Sequence, residues 1–388
     1  MCTAAATLLQ IDGTLITIAL PSVAAGLGVG ANVTAWVLTS YFAAYALCLW
    51  PGGRLVDARG PRVVAIVGLC LFGLGAMVGA MAGSFGLLVA SRIVQGAGAG
   101  LVSPAALAGA VSGFPPERRG TALGIWGAGA GMANLVGPLL GGVLTVWLGW
   151  RADWWALVPA TGACFLAIGR VIPSGEGSAV VASGEAPRLK RDVIAAAILL
   201  ATLTFAVMIG SFYLAEQYLQ DVAGFSALGA SSALLFVALL VGAAAPVAGR
   251  LADVSGEQLP VMLGVSLATV GFACLSLPEV SLSGPLALAF VVPVGLGLGL
   301  LFAPTSRAAL NSVDPGRHGR VSAALSSGRL AGAALGSGLA GAAVAGHVDA
   351  AAVHHALLVA AALCLFVGIP AGRRLRACGA SRSVRAAP

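Results

Sequence analysis

The chain has 388 residues, of which 59% are hydrophobic and only 9% charged, and its formal net charge is +7. Soluble domains carry about 25% charged residues, so a chain this apolar cannot cover its surface with polar groups. Its basic residues are spread over short segments between apolar runs, which argues against a nucleic-acid-binding patch. The composition therefore predicts an all-α polytopic membrane protein.

Apolar runs recur along the chain, and each is long enough to cross a hydrocarbon core of about 30 Å as a helix. They predict twelve transmembrane helices. The predicted spans are residues 4–26, 33–53, 62–82, 86–110, 119–145, 153–171, 192–214, 226–249, 259–277, 284–306, 320–345 and 352–371.

The longest segment between two spans, residues 172–191, reads IPSGEGSAVVASGEAPRLKR. Its small and polar residues predict a flexible cytoplasmic linker. The linker divides the chain into an N-terminal six-helix half, residues 1–171, and a C-terminal six-helix half, residues 192–371. Residues 372–388 form a basic cytoplasmic tail that is predicted to be disordered.

The Lys and Arg residues fall almost entirely on one side of the predicted spans. If the N-terminus is cytoplasmic, the predicted outer loops contribute Arg151, while the inner loops and the tail contain nearly all the others. Cytoplasmic loops carry the excess of basic residues, so both termini are predicted to be cytoplasmic. Two pseudo-symmetric six-helix bundles in one chain are typical of secondary transporters.

One short charged motif occurs in both halves. GRLVDARG covers residues 53–60 and GRLADVSG covers residues 249–256, each after the second span of its half and on the cytoplasmic side. Asp57 and Asp253 lie where a span ends and can meet the N-terminus of another helix, whose partial positive charge favours an anion. The motif predicts a cytoplasmic gating loop that latches the inner ends of the helices. Its residues are Gly53, Arg54, Asp57, Arg59, Gly60, Arg62, Gly249, Arg250, Asp253 and Gly256.

The two copies differ in charge. Arg59 and Arg62 near the first copy are replaced by Ser255 and Gln258 near the second. We therefore expect the first copy to carry most of the gating and the second copy to be mainly structural.

Two charged residues fall inside predicted spans. Asp12 lies in the first span and Arg92 in the fourth, where a charge costs about 2.5–3.5 kcal/mol on insertion scales. Asp12 is either a protonatable group of the transport path or a carboxylate at a helix end that reaches the interface. Arg92 either binds a carboxylate, for which Asp12 is the natural candidate, or hydrogen-bonds helix backbones.

Small and polar residues of other spans suggest packing and cavity positions. Gly137, Pro138, Gly141 and Gly142 in span five allow close helix approach and a bend. The candidates for a substrate cavity are Trp36, Tyr41, Gln95, Trp126, Asn134, Glu216 and Gln220. Interfacial anchoring of the aromatic residues and a solvated outer rim for Glu216 remain the alternatives. The scattered cysteines predict neither a disulfide nor a metal site.

Several of these segments together resemble the signatures of the major facilitator superfamily. They are GGRLVDARGPR after span two, LLVASRIVQGAGAG in span four, GPLLGG in span five and IDGTLITIALP in span one. Within that superfamily the combination is similar to the drug:proton antiporters of the EmrB/QacA type. Those proteins usually have fourteen spans, and here residues 172–191 replace the two extra ones, so the chain resembles a twelve-span variant.

The resemblance implies proton-coupled efflux, by antiport, of small lipophilic compounds such as drugs or antibiotics across the bacterial plasma membrane by alternating access. Asp12 and Arg92 would then serve proton coupling, and Gly137, Pro138, Gly141 and Gly142 would form the antiporter helix. It also implies a monomer that is not an enzyme, with protons as the coupling ion and no cofactor. A dedicated exporter of a single endogenous metabolite, or an uptake permease, is the alternative.

Overall fold

The computed structural model describes residues 1–29, 31–171, 191–225, 227–281, 283–343 and 350–375. All regular secondary structure in these ranges is helical. The helices that precede the predicted linker are α1 (Cys2–Leu27), α2 (Ala31–Arg59), α3 (Pro61–Ala80), α4 (Phe85–Ser112), α5 (Arg119–Leu148) and α6 (Arg151–Val171). Those that follow it are α7 (Arg191–Gln217), α8 (Ala227–Ser255), α9 (Gln258–Leu275), α10 (Pro285–Leu310), α11 (His318–Ala343), α12 (Ala350–Leu363) and α13 (Ile369–Arg373).

Each predicted span contains a helix, and the described residues provide eight helices that are long and apolar enough to cross a membrane. These eight lie in α3, α4, α6, α7, α8, α9, α10 and the α12–α13 segment. Shorter apolar stretches, Cys2–Ile16 and Leu139–Leu148, lie within α1 and α5. The count of twelve spans and the cytoplasmic termini stay predictions.

The repeated motif is helical over most of its length, so its prediction as a loop is corrected. Helices α2 and α8 continue past their apolar stretches to Arg59 and Ser255. Each then ends at a glycine with positive φ, Gly60 at 80° and Gly256 at 81°, a conformation that other residues rarely adopt. Apolar residues mark the membrane-spanning part of a helix, whereas the helix itself ends only at these glycines.

The described residues form two compact units. The first takes those within Met1–Gly113, Gly129–Ala186 and Asp314–Ser326, and the second takes those within Phe114–Ala128, Pro187–Val313 and Ser327–Pro388. The units therefore differ from the two predicted halves in two places. The start of α5 packs in the second unit, and the start of α11 packs in the first.

Glycines bring the helices of the first unit into close contact. A Cβ atom on Gly96 of α4 would overlap the carbonyl oxygen of Tyr41 in α2. In the same way, Gly98 of α4 lies against the backbone of Gly68 in α3. Such small residues let helix backbones approach in a membrane, where apolar side chains gain little by leaving lipid.

Helices α5 and α11 also use glycines for close packing, with Gly142 of α5 as an exception. Gly137 of α5 lies against the side chain of Thr14, and Gly141 lies against the backbone of Leu15, both in α1. A Cβ atom on Gly142 would have no neighbour within 4 Å. In the second unit, Gly332 of α11 lies against the Thr202 carbonyl of α7.

We expect Gly332→Val to destabilise the protein, because the added methyl groups would overlap the α7 backbone, an overpacking that costs about 1–3 kcal/mol. Gly338→Val on the same helix is the matched control, since a Cβ atom there meets nothing within 4 Å. The measurement is the thermal unfolding midpoint of each purified variant in detergent. Equal midpoints for the two variants would contradict this packing.

Candidate functional site

The first unit contains a fully buried ion pair between α1 and α4. Nη1 of Arg92 donates to both carboxylate oxygens of Asp12, at 2.8 Å and 2.9 Å. Both side chains have no exposed surface. Asp12 is therefore not a carboxylate at an exposed helix end, and its burial within α1 leaves Arg92 as its charged partner in this contact.

Three further groups complete the surroundings of the Arg92 guanidinium. Its Nη1 also donates to Oε1 of Gln95 at 2.9 Å, and its Nε donates to the carbonyl of Val37 at 3.1 Å. The guanidinium carbon lies 4.2 Å from the ring centre of Tyr41, within the range of a cation–π contact. Arg92 thus binds a carboxylate and a helix backbone together, so the two alternatives for its role hold at once.

Helix geometry explains how the sequence assembles this group, which we call the Asp12 cluster: Asp12, Tyr41, Arg92 and Gln95. Arg92 and Gln95 are three residues apart, so both project from one face of α4. Gln95 Nε2 lies 3.4 Å from a carboxylate oxygen of Asp12, and the Tyr41 hydroxyl donates to the carbonyl of Leu9 at 3.3 Å. Removing one partner of a buried pair costs about 3–5 kcal/mol, so Asp12 and Arg92 depend on each other.

Asp57 binds the N-terminus of α11, within the first unit. Its carboxylate accepts hydrogen bonds from the backbone N–H groups of Gly319 at 2.7 Å and Arg320 at 3.3 Å, and from the Arg320 guanidinium at 2.8 Å. The first N–H groups of a helix have no partner within the helix and carry partial positive charge. Asp57 supplies both the acceptors and the compensating negative charge.

Asp253 does the same for α5, within the second unit. Its carboxylate accepts from the N–H groups of Gly120 and Thr121, both at 2.8 Å, and from the Thr121 hydroxyl at 2.6 Å. The Arg307 Nε lies 3.3 Å away. The two copies of the motif therefore bind equivalent positions, the second and third residues of α11 and α5.

Sequence reasoning missed the charged residues that reinforce the Asp253 contact. Arg307 donates to the Glu257 carboxylate at 2.6 Å and to the carbonyl of Pro116 at 3.3 Å. Both side chains are buried. Glu257 directly follows the second copy, and Arg307 directly follows the predicted span 284–306. An acid and a base next to span ends that were predicted to lie on the same side of the membrane were the available signal for their pairing.

The glycines of the motif allow close backbone approach beside these contacts. Gly53 lies against the Gly319 carbonyl and Gly249 against the Gly120 carbonyl. The basic residues differ in their surroundings. Arg54, Arg59 and Arg250 are exposed, and the Arg54 guanidinium lies 5.5 Å from the Trp50 ring centre. Arg62 donates to the carbonyl of Gly169 at 2.5 Å.

The predicted cavity residues separate into several environments. Tyr41 and Gln95 belong to the Asp12 cluster, whereas Trp36 is 58% exposed. In the second unit, Trp126 is buried against Arg329, whose guanidinium lies 4.8 Å from its ring centre. Also in that unit, Gln220 donates to Glu216 at 2.6 Å near the end of α7. The side chains of Asn134 and Pro138 lie outside the described part of the structure.

Arg329 was not among the predicted site residues. It is a buried cation on α11, bonded to the Ser306 hydroxyl and placed 5.9 Å from the Phe205 ring centre. A search of the described residues gives no group of three or more His, Cys, Asp or Glu side chains that could hold a metal ion.

Known proteins resemble the chain over most of its length. The Major Facilitator Superfamily profile matches residues 2–337. The Multidrug resistance protein Stp of Mycobacterium tuberculosis is 26% identical over 377 residues, which cover 82% of this chain and 70% of that protein. The Chloramphenicol resistance protein of Streptomyces lividans is 33% identical over 264 residues, which cover 66% of this chain and 67% of that protein.

Other relatives match over shorter stretches. Two are 40% and 41% identical, and the chain spans only 26% and 34% of their lengths. Among solved structures, the human organic anion transporter MFSD10 superposes with a TM-score of 0.72 at 18% identity, over 95% of this chain and 98% of that one. This structural likeness concerns the fold alone. Since the family profile covers far more than half of the residues, the chain belongs to the Major Facilitator Superfamily, whose members are multi-pass membrane transporters and not enzymes.

Proposed function

We propose that this protein exports small lipophilic compounds, such as drugs or antibiotics, across the plasma membrane in exchange for protons, by alternating access. The observation that carries the proposal is the Asp12 cluster, in which a carboxylate and a guanidinium are buried together between two helices that contain no other charged residue. Ionisable residues at such depth are costly and mark proton or substrate paths.

The cluster supports proton exchange because Arg92 keeps hydrogen-bond partners in both protonation states of Asp12. When Asp12 is ionised, Arg92 neutralises it. When Asp12 binds a proton, the Arg92 guanidinium keeps hydrogen bonds to Gln95 and the carbonyl of Val37. Protonation of Asp12 therefore removes the ionic attraction to Arg92, while the arginine retains these two hydrogen bonds. It also adds one positive charge to the site, and moving one charge across 100 mV is worth about 2.3 kcal/mol.

The two helix-terminus contacts provide the gate of the proposed cycle. Asp57 at α11 and Asp253 at α5 hold cytoplasmic helix ends through backbone donors and arginine side chains. These bonds must break when the cytoplasmic side opens and re-form when it closes. Each half of the sequence supplies one carboxylate and one helix N-terminus. The proposed gate therefore consists of two contacts of the same kind.

The names of relatives support the class of substrate. They include a Multidrug resistance protein, a Chloramphenicol resistance protein and a Cephamycin export protein. The last two names each refer to one kind of antibiotic, which favours export of a narrow set of compounds; dedicated export of a single endogenous metabolite is the second candidate function. An uptake permease is the further alternative. A panel of compounds tested for efflux and for uptake in cells that express the protein separates the three.

We expect Asp12→Asn to lower pH-gradient-driven export at least 10-fold, because the amide cannot take up or release a proton. Export of chloramphenicol is measured in proteoliposomes with an imposed pH gradient. Substrate exchange without a gradient should persist, since it requires no net proton movement. Asp192→Asn, an exposed carboxylate in the first turn of α7, is the control and should behave as wild type. Unchanged gradient-driven export in the Asp12 variant would contradict proton coupling through this residue.

We expect Asp253→Asn to reduce the initial rate of export at least as much as Asp57→Asn, which reverses the order expected from the loop arginines alone. Asp253 accepts from two N–H groups and a hydroxyl and also meets Arg307, so its neutralisation weakens more bonds. Hydrogen bonds to charged groups are each worth about 1.5–3 kcal/mol. Rates are compared at equal amounts of reconstituted protein. If the Asp253 variant exported at the wild-type rate and the Asp57 variant were impaired, this expectation would be wrong, and the first copy of the motif would be the main gate.

A further inference from the structure

The second unit contains a partly open cavity that neither the sequence motifs nor the gate accounts for. Its volume is about 420 Å³. It lies between the last turns of α7, the first turns of α8, the end of α9 and the first turns of α10 and α12. Cavities of about 300–1,000 Å³ are the usual size of small-molecule sites.

Apolar side chains line this cavity, and aromatic rings from four of its helical segments stand among the aliphatic ones. Five of the lining side chains are aromatic: Phe212, Tyr218, Phe225, Phe236 and Phe272. None of the described lining residues is charged. The two serines bond within the protein, Ser211 to the carbonyl of Met208 and Ser283 to Ser281. The walls therefore offer aromatic faces and aliphatic groups, and they offer nothing to neutralise an ion.

The backbone next to the cavity is irregular. Helix α7 ends in a π-helical turn, Tyr218–Val222, and two lining residues, Tyr218 and Leu219, lie in it. The chain then turns at Gly224, with φ of 70°, and the N–H of Phe225 donates to the Leu219 carbonyl at 2.8 Å. Single π-helical turns are rare and often accompany functional sites. Here the turn and the bend carry Tyr218, Leu219 and Phe225 to the same wall.

We propose that this cavity, which we call the α7–α10 pocket, binds an uncharged aromatic compound. The choice of ligand class rests on the proposed export of lipophilic compounds, but the pocket itself does not. Offset and edge-to-face contacts with several rings favour a compact aromatic ligand over a flexible hydrocarbon chain. The lining residues all belong to the second unit, whereas the Asp12 cluster belongs to the first. Ligand binding in the pocket and proton exchange at Asp12 therefore use different residues.

The test is photolabelling of the purified, full-length protein in bilayer nanodiscs with phenyl trifluoromethyl diazirine. Labelled peptides are mapped by mass spectrometry. We expect saturable labelling of the pocket residues in α7 and α10, reduced at least 10-fold by excess N-phenylnaphthylamine and little changed by dodecane. The assay needs no gradient and no transport. Its failure would therefore leave the proposed export standing, and a failure of the Asp12 experiment would leave the pocket standing.

Two substitutions fill the pocket, and one serves as a control. Ala287→Trp on α10 and Ala215→Phe on α7 place a ring where the ligand would lie, and we expect each to lower the labelling at least 10-fold. Ala289→Trp adds the same ring on α10 at an exposed position that does not line the pocket, so labelling should persist. If Ala287→Trp does not fold, Ala215→Phe and the wild-type competition still decide the result.

Three outcomes would overturn the proposal. The first is labelling that does not saturate, as expected for general partition into lipid. The second is displacement by dodecane and not by N-phenylnaphthylamine, which would assign the pocket to a hydrocarbon chain of the bilayer. The third is labelling of folded Ala287→Trp and Ala215→Phe at the wild-type level.

Discussion

The ion pair between Asp12 and Arg92 sets the main constraint on the first unit. Two charges that have no exposed surface must satisfy each other and find hydrogen-bonding partners inside the protein. The helices around them meet this need with Gln95, the carbonyl of Val37 and the ring of Tyr41. Close approach of α2 and α4 at Gly96 brings Val37 and Tyr41 of α2 within reach of Arg92. The glycine packing and the charge pair therefore depend on one another.

Uncompensated charge also has to be neutralised at the N-termini of α5 and α11, and there the protein uses a different solution. There the positive charge belongs to the first N–H groups of α5 and α11, and single carboxylates from α8 and α2 neutralise it. These contacts are partly exposed to water and are less costly to break than the buried pair. The proposed gate must open in each cycle, whereas the proposed coupling pair stays inside the protein. These roles place opposite demands on solvent access, and the two kinds of site differ accordingly.

The sequence predicted much of this arrangement because its signals are local. Apolar stretches located the helices to within a few residues, as for residues 62–82 against Pro61–Ala80. The two aspartates of the repeated motif were expected at helix N-termini, and they lie there. The full length of α2 and α8 was missed because the run of apolar residues in each helix stops before the helix does. The backbone remains helical until Gly60 and Gly256.

Contacts made far apart in the sequence could not be read from local patterns. Arg307 meets Glu257 across 50 positions, and Trp126 meets Arg329 across about 200. No periodicity or short motif encodes such pairings. The same reason explains why the start of α5 packs in the second unit although it follows the first four helices directly. The α7–α10 pocket likewise arises from five helices whose lining residues are scattered over more than 140 positions, Ser211 to Leu357.

In the proposed cycle, Asp12 exchanges its proton for the transported compound. Proton release on substrate binding tests this exchange most directly, with the purified protein in a lightly buffered solution and chloramphenicol as the added compound. We expect wild-type protein to release protons when the compound is added, and Asp12→Asn to bind the compound and release none. Equal proton release from both proteins, or none from the wild type at saturating compound, would contradict the proposed exchange.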